Sequence, residues 1–352
     1  MAITMVRVPI DRLEAFTLRA FRAMGTSEEE SVLCTRGLIQ SEMRCHPGQN
    51  QGVRRLPVYH ERISKGWYTL GAPFQIVKES PSLALVDAHN GLGSVMGQRA
   101  MALAVRKARV SGIGTVVVRH STHFGSAGVH ARLALEQDCL GVAMTNAGPE
   151  IPAWGGKSEA VGTNPWAIAA PTSGLFPVVL DMAWTMVDMP KLRWLSREGE
   201  TRIPKDWALD EDGNETEDLS RALRGIAQGI GRHKGYGLAM MTDALTGVIG
   251  GGAFGLAPYS NPAAQDVAHT FVALDIAWFM PVAEFKSRMD AFVREVKSSR
   301  LRPGFTEILA PGELDYRKEI ECRRVGTNLD LELFESLRRL AEVLKIKFDI
   351  IS

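Results

Sequence analysis

The chain has 352 residues, of which 45% are hydrophobic and 23% are charged, and its formal net charge is +1. This length allows two or three domains with a substantial buried core. The near-neutral charge gives no electrostatic reason to expect binding to nucleic acid or to an anionic membrane surface. No apolar run approaches the roughly 18 residues that a membrane span requires, so no membrane association is predicted.

Two features of the sequence indicate a cytoplasmic protein. Charged residues interrupt the apolar residues of segment 1–16, whereas a secretory signal peptide needs an uninterrupted apolar stretch. The four cysteines contain no Cys-x-x-Cys pair and are too few for a disulfide framework in a chain of this length. We therefore expect four reduced thiols.

The N-terminal part of the chain is predicted to be helical. Apolar residues recur at helical spacing over residues 9–24, and further helices are expected at 26–43 and 56–65. The second helix begins at Thr26 and Ser27, whose hydroxyls suit a helix cap, and acidic residues follow in its first turn. A polar loop, residues 44–52, separates the second helix from the third.

Strands and helices mix in the middle of the chain, and helices return at its end. Strands are predicted at 82–86, 114–118, 140–145, 166–170, 177–180 and 270–276, and helices at 95–110, 127–136, 236–249, 282–299 and 331–343. Residues 149–165 are predicted to be a loop, and residues 191–216 to be irregular.

This order of elements favours an α+β fold over a doubly wound parallel sheet, because strands and helices do not alternate regularly. We expect the two chain ends, residues 1–73 and 282–352, to pack together as one discontinuous helical domain. Residues 74–281 would then form a separate α+β domain.

One glycine-rich segment is similar to a dinucleotide-binding fingerprint. Residues 91–97, Gly-Leu-Gly-Ser-Val-Met-Gly, follow a predicted strand and open a helix. The last glycine is one residue late, and the next strand runs into Arg119 and His120 rather than an acidic residue. We interpret the segment as a turn and a helix start, so a Rossmann loop is not expected.

Two polar segments carry candidate groups for acid recognition and proton transfer. Residues 44–55 form a loop in which an arginine could hold a carboxylate through two parallel hydrogen bonds, or which could be merely solvated. Residues 120–128 follow a buried strand, and His123 could exchange a proton near neutral pH or could simply pack. No nearby cysteine or acid completes a ligand set with His120, His123 and His130, so no metal is expected.

Two glycine-rich segments could bring backbone amides close to a ligand. Residues 146–165 form a long loop, and long loops in compact domains are often functional. Residues 229–237 place glycines and two cations ahead of an apolar helix, a pattern typical of phosphate sites although P-loop spacing is absent. Each segment could instead be an ordinary loop or turn.

In this order the segments resemble the malate/L-lactate dehydrogenase family of non-Rossmann type. That family includes ureidoglycolate, sulfolactate and diketogulonate dehydrogenases and the ketimine reductase acting on piperideine-2-carboxylate. The matching motifs are Thr-His-Phe-Gly at 122–125, Trp-Gly-Gly followed by Gly-Thr-Asn-Pro within 154–165, and His-Lys-Gly-Tyr-Gly-Leu at 233–238. The resemblance extends over nearly the whole chain.

The resemblance implies a nicotinamide-binding α+β domain with a largely antiparallel sheet, a helical dimerisation domain, a homodimer, and NAD(H) or NADP(H) as cofactor. His123 matches the histidine beside the nicotinamide, and Arg55 matches the arginine expected to hold the substrate carboxylate, with Thr163 in the loop that lines the site. The positions that match cofactor contacts, or lie in that loop, are Ala147, Asn164, Asp181, Met182, Ala183, Lys234, Gly312 and Glu313.

The sequence departs from the family pattern before Arg55. The family has Arg-Gly-His-Asp-Ser-His-Gly there, whereas this chain is two residues longer and has Asn50-Gln51 in place of Ser-His. The second histidine is the assigned proton donor in some members, and a glutamine amide does not titrate near neutrality. We therefore expect His123 or His46 to exchange the proton and Gln51 to donate a hydrogen bond.

A second departure lies at residues 181–191. The usual Thr-Ser is replaced by Trp184-Thr185, and the usual Ala-Arg-Gly-Lys by Asp-Met-Pro-Lys at 188–191. We expect Trp184 to shrink or reshape the pocket, and the lost arginine to change the recognition of charge.

These residues favour hydride transfer between a nicotinamide and the 2-carbon of a small carboxylate. One alternative is a ketimine reductase acting on a cyclic C=N carboxylate, because a protonated imine depends less on a strong proton donor. Another is a nucleotide-binding protein that has lost catalysis, which the two departures would explain.

Overall fold

The computed structural model describes residues 3–49 and 51–351. The α-helices are α1 (Ile10–Ala23), α2 (Glu28–Glu42), α3 (Leu56–Ser64), α4 (Gly93–Ser111), α5 (Ala127–Leu133), α6 (Met189–Glu198), α7 (Leu219–Ala222), α8 (His233–Asp243), α9 (Val282–Lys297), α10 (Glu313–Val325) and α11 (Leu331–Leu344). The strands are β1 (Met5–Val8), β2 (Gln75–Glu79), β3 (Leu83–Asp87), β4 (Ile113–Ser121), β5 (Cys139–Thr145), β6 (Pro149–Pro152), β7 (Glu159–Gly162), β8 (Trp166–Ala170), β9 (Val178–Met182), β10 (Ala208–Leu209), β11 (Ile226–Ala227), β12 (Val267–Asp275) and β13 (Thr327–Asp330).

A seven-stranded sheet in the order β2-β3-β4-β12-β5-β8-β9 forms the centre of the molecule. Every neighbouring pair in it is antiparallel except β3 and β4, which α4 connects in parallel. On β12, Phe271 pairs with Val116 on one side and Ala143 on the other. The fold is thus a mixed α and β fold with a largely antiparallel sheet.

Helices α4 and α5 pack on this sheet unusually closely because two strand positions are glycine. A Cβ atom at Gly114 would lie 1.9 Å from the carbonyl oxygen of Ala104 in α4, and one at Gly141 would lie 2.1 Å from that of Ala131 in α5. The core between the layers consists mainly of alanine and valine side chains.

The terminal helices share a second hydrophobic core. Phe16, Phe21 and Leu337, all fully buried, belong to a cluster that joins α1, α2, α3 and α11. The predicted helix start is present as a capping box, in which Ser27 and Glu30 each accept the other's backbone N–H. Helix α2 also contacts α4, which packs on the central sheet.

Several segments differ from the sequence-based prediction, including strands β1 and β13, which were not predicted. Residues 149–165, expected to be a loop, contain the β6–β7 hairpin. Residues 191–216, expected to be irregular, begin with most of α6, whose start is capped by the Asp188 carboxylate accepting from the N–H of Lys191 at 3.0 Å. Helix α10 was not predicted because it is mostly polar, and ion pairs such as Lys297–Glu313 hold it in place.

Helix α9 begins at Val282, as predicted, and contacts the β8–β9 connection of the central sheet. Its Asp290 carboxylate accepts from the backbone N–H groups of Ser173 and Gly174, in the β8–β9 connection. Within the described ranges, no helix is both long enough and apolar enough to cross a lipid bilayer.

Candidate functional site

A cavity of about 540 Å³ lies where the loop between α2 and α3 meets the ends of β4, β5 and β9. Its size is within the range of small-molecule and cofactor sites. It brings together eight of the residues singled out in the sequence: Gln51, Arg55, His123, Ala147, Thr163, Asp181, Met182 and Ala183. These residues come from five separate chain segments, so their convergence is a property of the fold.

The backbone that carries His123 is fixed against the start of α4. The Thr122 hydroxyl accepts from the N–H of Gly93 at 2.9 Å and donates to the carbonyl of Gly91 at 3.0 Å. A Cβ atom at Gly93 would lie 2.0 Å from the Thr122 carbonyl oxygen. The glycines of residues 91–97 therefore allow this close contact, which agrees with the turn-and-helix-start interpretation of the segment.

Both ring nitrogens of His123 face N–H donors. The N–H of Gly125 points at Nδ1 from 3.2 Å, and the Arg55 guanidinium Nη2 lies 3.2 Å from Nε2. Desolvation, followed by the positive charges of Arg55 and Arg62, lowers the pKa of His123 well below its usual value. The ring is therefore neutral at pH 7 and able to accept a proton.

Arg55 ends a short 3₁₀ turn, Gly52–Arg55, that a buried carboxylate holds in place. The Glu42 carboxylate accepts from the N–H of Val53 at 3.1 Å and from the Thr327 hydroxyl at 3.2 Å. Burial raises the pKa of Glu42. The Glu42 carboxylate of α2 thus connects this turn to β13, and the turn places Arg55 in the cavity lining.

The opposite wall contains a carboxyl group with a shifted pKa. Asp181 accepts from the N–H of Gly128 at 2.8 Å. Desolvation raises the pKa of Asp181 to about 6, and the neighbouring Asp315 carboxylate acts in the same direction while Arg44 opposes it. The protonation of Asp181 therefore changes near physiological pH.

The other predicted residues lie outside the cavity lining, although two of them support its walls. Asn164 is fully buried, where its side chain accepts from the N–H of Ala147 and donates to the carbonyl of Ala239, both at 2.8 Å. Gly312, at φ +78°, packs directly behind Val179 of the cavity wall.

Three charged residues also lie outside the lining. Glu313 is buried in ion pairs with Lys297 and Arg317. Lys234 is exposed in the first turn of α8. His46 lies 2.9 Å from Asp315 and lines an adjoining pocket of about 210 Å³ that shares Gln51 with the main cavity. Asn50 lies outside the described residues.

The expectation that Trp184 would reshape the pocket is wrong. Its side chain is 8% exposed and packs edge-on against Trp166 with ring centroids 5.5 Å apart. Both indole N–H groups donate to the Thr242 hydroxyl. The side chain therefore belongs to the apolar cluster beside the cavity and does not line the cavity itself.

Several cavity residues were not identified from the sequence. Tyr259, Glu150, Asp188, Arg44 and Arg132 line the cavity, but they lie in segments without a recognisable motif or were considered only as part of a polar run. Burial raises the pKa of Glu150 and of Asp188. Clustering of this kind depends on contacts between distant segments, so no local signal in the sequence reveals it.

No group of three or more histidine, cysteine, aspartate or glutamate side chains that could hold a metal ion occurs in the described part of the chain. The four cysteines are free, and Cys34, Cys139 and Cys322 are buried.

Comparisons with known proteins identify the family of the chain. The profile of the malate/L-lactate dehydrogenase family matches residues 8–338. Malate dehydrogenase of Pyrococcus abyssi is 37% identical over 97% of this chain and 96% of its own. L-sulfolactate dehydrogenase of Methanocaldococcus jannaschii is 34% identical over 93% of this chain and 94% of its own.

A solved structure with the same fold is malate dehydrogenase from Entamoeba histolytica, with a TM-score of 0.93, 28% identity, and coverage of 98% of this chain and 100% of that one. Other relatives are named as NAD⁺- or NADP⁺-dependent, among them the ureidoglycolate dehydrogenase of Escherichia coli K12, 30% identical over 89% of each chain. The chain belongs to the malate/L-lactate dehydrogenase family and is an NAD(P)-dependent oxidoreductase of hydroxy acids.

Proposed function

We propose that this enzyme interconverts a small 2-hydroxy acid and its 2-oxo acid in the cavity that contains Arg55 and His123. The observation that carries the proposal is the 3.2 Å approach of the Arg55 guanidinium to His123 Nε2. A group that binds carboxylates thus lies beside a neutral base. An α-hydroxy carboxylate has its anionic group and its reacting oxygen on adjacent carbons, which matches this spacing.

Arg55 orients the substrate by binding its carboxylate, preferably through two parallel hydrogen bonds. The carboxylate also offsets the positive charge that Arg55 presents to His123. His123 then takes the proton of the 2-hydroxyl in the oxidation direction and returns it in reduction. Thr163 in the wall contributes to substrate binding, and Gln51 donates a hydrogen bond to the 2-oxygen. His46 exchanges protons with solvent.

The donor set of the cavity fits a nicotinamide cofactor. Ala147 and Ala183 line the cavity with small side chains, which allow a flat ring to approach closely. Asp181 presents a carboxyl that can accept from hydroxyl or amide donors. We propose that eight residues hold NAD(H) or NADP(H), either by contact or by supporting residues of the cavity lining. They are Ala147, Asn164, Asp181, Met182, Ala183, Lys234, Gly312 and Glu313. The bound cofactor supplies or accepts the hydride.

A cyclic ketimine acid is a second candidate substrate. The low pKa of His123 makes it a weak source of protons, and Gln51 cannot replace a titrating donor. A protonated imine needs no proton transfer before it accepts a hydride. A 25% identical structure, piperideine-2-carboxylate reductase from Pseudomonas syringae, shares the fold with a TM-score of 0.83.

We also propose a cytoplasmic homodimer in which residues 1–73 and 282–352 form one domain and residues 74–281 the other. An apolar stripe at helical spacing on α8 and the π-helical turn after it supports self-association: Leu238, Met241, Leu245 and Val248 are 39–54% exposed. Sedimentation equilibrium tests this, and a monomer at micromolar concentration would refute it.

The function is tested by titrating the purified protein with NADH and with NADPH while following fluorescence. A panel of 2-oxo acids and cyclic imine acids is then added, and the loss of reduced-cofactor absorbance is followed. Turnover of any 2-oxo acid supports the proposal, and turnover of imines alone supports the second candidate. Binding without turnover would indicate a protein that has lost catalysis.

A further inference from the structure

The sequence leaves open which group, apart from His123, stabilises charge on the substrate oxygen. Tyr259, a residue that no motif identified, lines the cavity and carries a hydroxyl. Burial raises the pKa of Tyr259, so the hydroxyl keeps its proton and remains a hydrogen-bond donor throughout the neutral range.

The position of Tyr259 is fixed from several directions. Its backbone has φ +64°, a left-handed conformation rare for a bulky residue, and its N–H donates to the carbonyl of Gln265 at 2.9 Å. The guanidinium of Arg62 lies 5.8 Å from the centre of the Tyr259 ring. The same guanidinium lies 5.8 Å from the ring of Tyr68, so the two tyrosines flank one cation.

Gln265 connects Tyr259 to His123. Its side chain is 1% exposed, and its Oε1 accepts from the backbone N–H of His123 at 2.8 Å. The backbone carbonyl of Gln265 is the acceptor for the N–H of Tyr259 at 2.9 Å. The buried Nε2 of Gln265 has no hydrogen-bond partner among the described residues. Gln265 is therefore hydrogen-bonded to the backbones of both His123 and Tyr259.

We propose that the Tyr259 hydroxyl donates a hydrogen bond to the 2-oxygen of the substrate, beside His123, and that Gln265 positions the pair. This inference rests on the function proposed above. In reduction, the hydride adds to C2 and the π electrons of the C=O bond move to the oxygen. His123, protonated once the substrate carboxylate offsets the charge of Arg55, delivers its proton to that oxygen and becomes neutral. Tyr259 keeps its own proton throughout and stabilises the charge that develops before that delivery.

The chain offers a matched control for this role. Tyr68 contacts the same Arg62 but is buried in the core of the terminal helices and does not line the cavity. Tyr259→Phe and Tyr68→Phe each delete one hydroxyl from a tyrosine beside Arg62, but only Tyr259 lines the cavity. Gln51→Ala tests the competing donor.

The experiment compares these variants with the wild type in the reduction of the best 2-oxo acid, with cofactor affinity and thermal unfolding measured in parallel. We expect Tyr259→Phe to lower kcat by about 100-fold, as for the loss of one oxyanion donor, with KM and cofactor Kd changed less than about threefold. A larger primary isotope effect with 4-deuterated cofactor should accompany this loss. Tyr68→Phe should keep kcat within about twofold.

Two results would overturn the inference while leaving the proposed function intact. In the first, Tyr259→Phe retains kcat within about threefold of the wild type, whether or not Gln51→Ala loses it. In the second, Tyr259→Phe weakens cofactor binding, raises KM and lowers thermal stability together, which indicates a purely structural role. An inactive wild type would refute the proposed function itself, and the role of Tyr259 with it.

Discussion

Replacement of Arg55 by glutamine tests the central pairing, because it should change substrate binding and the basicity of His123 together. At the observed 3.2 Å separation, two unit charges repel by about 1 kcal/mol in water and by about 5 kcal/mol at an effective dielectric constant of 20. Since about 1.4 kcal/mol corresponds to one pKa unit, removing this charge should raise the pKa of His123 by at least about one unit. The folded-state pKa starts below its ordinary value, so the change is toward that value.

The same replacement removes the proposed carboxylate anchor. Losing a charge-assisted, partly buried pair costs about 2–5 kcal/mol, so kcat/KM should fall by roughly 30-fold to 5,000-fold. The pH dependence of kcat/KM in the oxidation direction reports the pKa of the free enzyme's base, and ¹⁵N NMR of the histidines gives an independent value. The acid limb should move to higher pH in Arg55→Gln.

The adjacent arginine provides the control. Arg54 pairs with the buried carboxylate of Asp330 and does not line the main cavity. Arg54→Gln should lower thermal stability but leave kcat/KM within about threefold and the pH profile unchanged. If Arg55→Gln left the pKa of His123 unchanged, or if Arg54→Gln reproduced its kinetic effect, the assignment of the two residues would be wrong.

Three further results are expected. His123→Gln should lower kcat by about 10²- to 10⁴-fold with cofactor affinity retained, and an active variant would exclude the histidine as the base. Asp181 has a pKa of about 6 when folded against an ordinary value of 3.8, so it costs stability increasingly as pH rises from 4 to 6. Asp181→Asn should therefore unfold at a higher temperature than the wild type at pH 8 and not at pH 4, and an equal difference at both would refute the shift. Gly93→Ala should destabilise the fold by about 1–3 kcal/mol and lower kcat, because its Cβ would collide with the backbone of Thr122, whereas Gly174→Ala, with no atom within 4 Å, should do neither.

Local patterns in the sequence were enough for much of the secondary structure. The helices α1 to α4 and the strands β4, β5 and β8 match predictions made from periodicity and capping residues. The failures were elements stabilised by charge pairs or by strand pairing rather than by a repeat of apolar residues. Helix α10 depends on ion pairs such as Arg317–Glu307, and the β6–β7 hairpin depends on strand pairing across a glycine-rich loop. Neither ion pairs nor a short hairpin produces a repeating pattern of apolar residues in the sequence.

The sequence by itself determined the family and the mixed helix-and-sheet class, because the motifs of the family occur in a fixed order along the chain. It also predicted roles for His123 and Arg55. Only the tertiary structure decided that Trp184 packs away from the cavity and that Tyr259, 136 positions from His123 in the chain, shares a cavity with it. A side chain's direction and its long-range neighbours follow from how strands and helices pack. They cannot be read from residues adjacent in sequence.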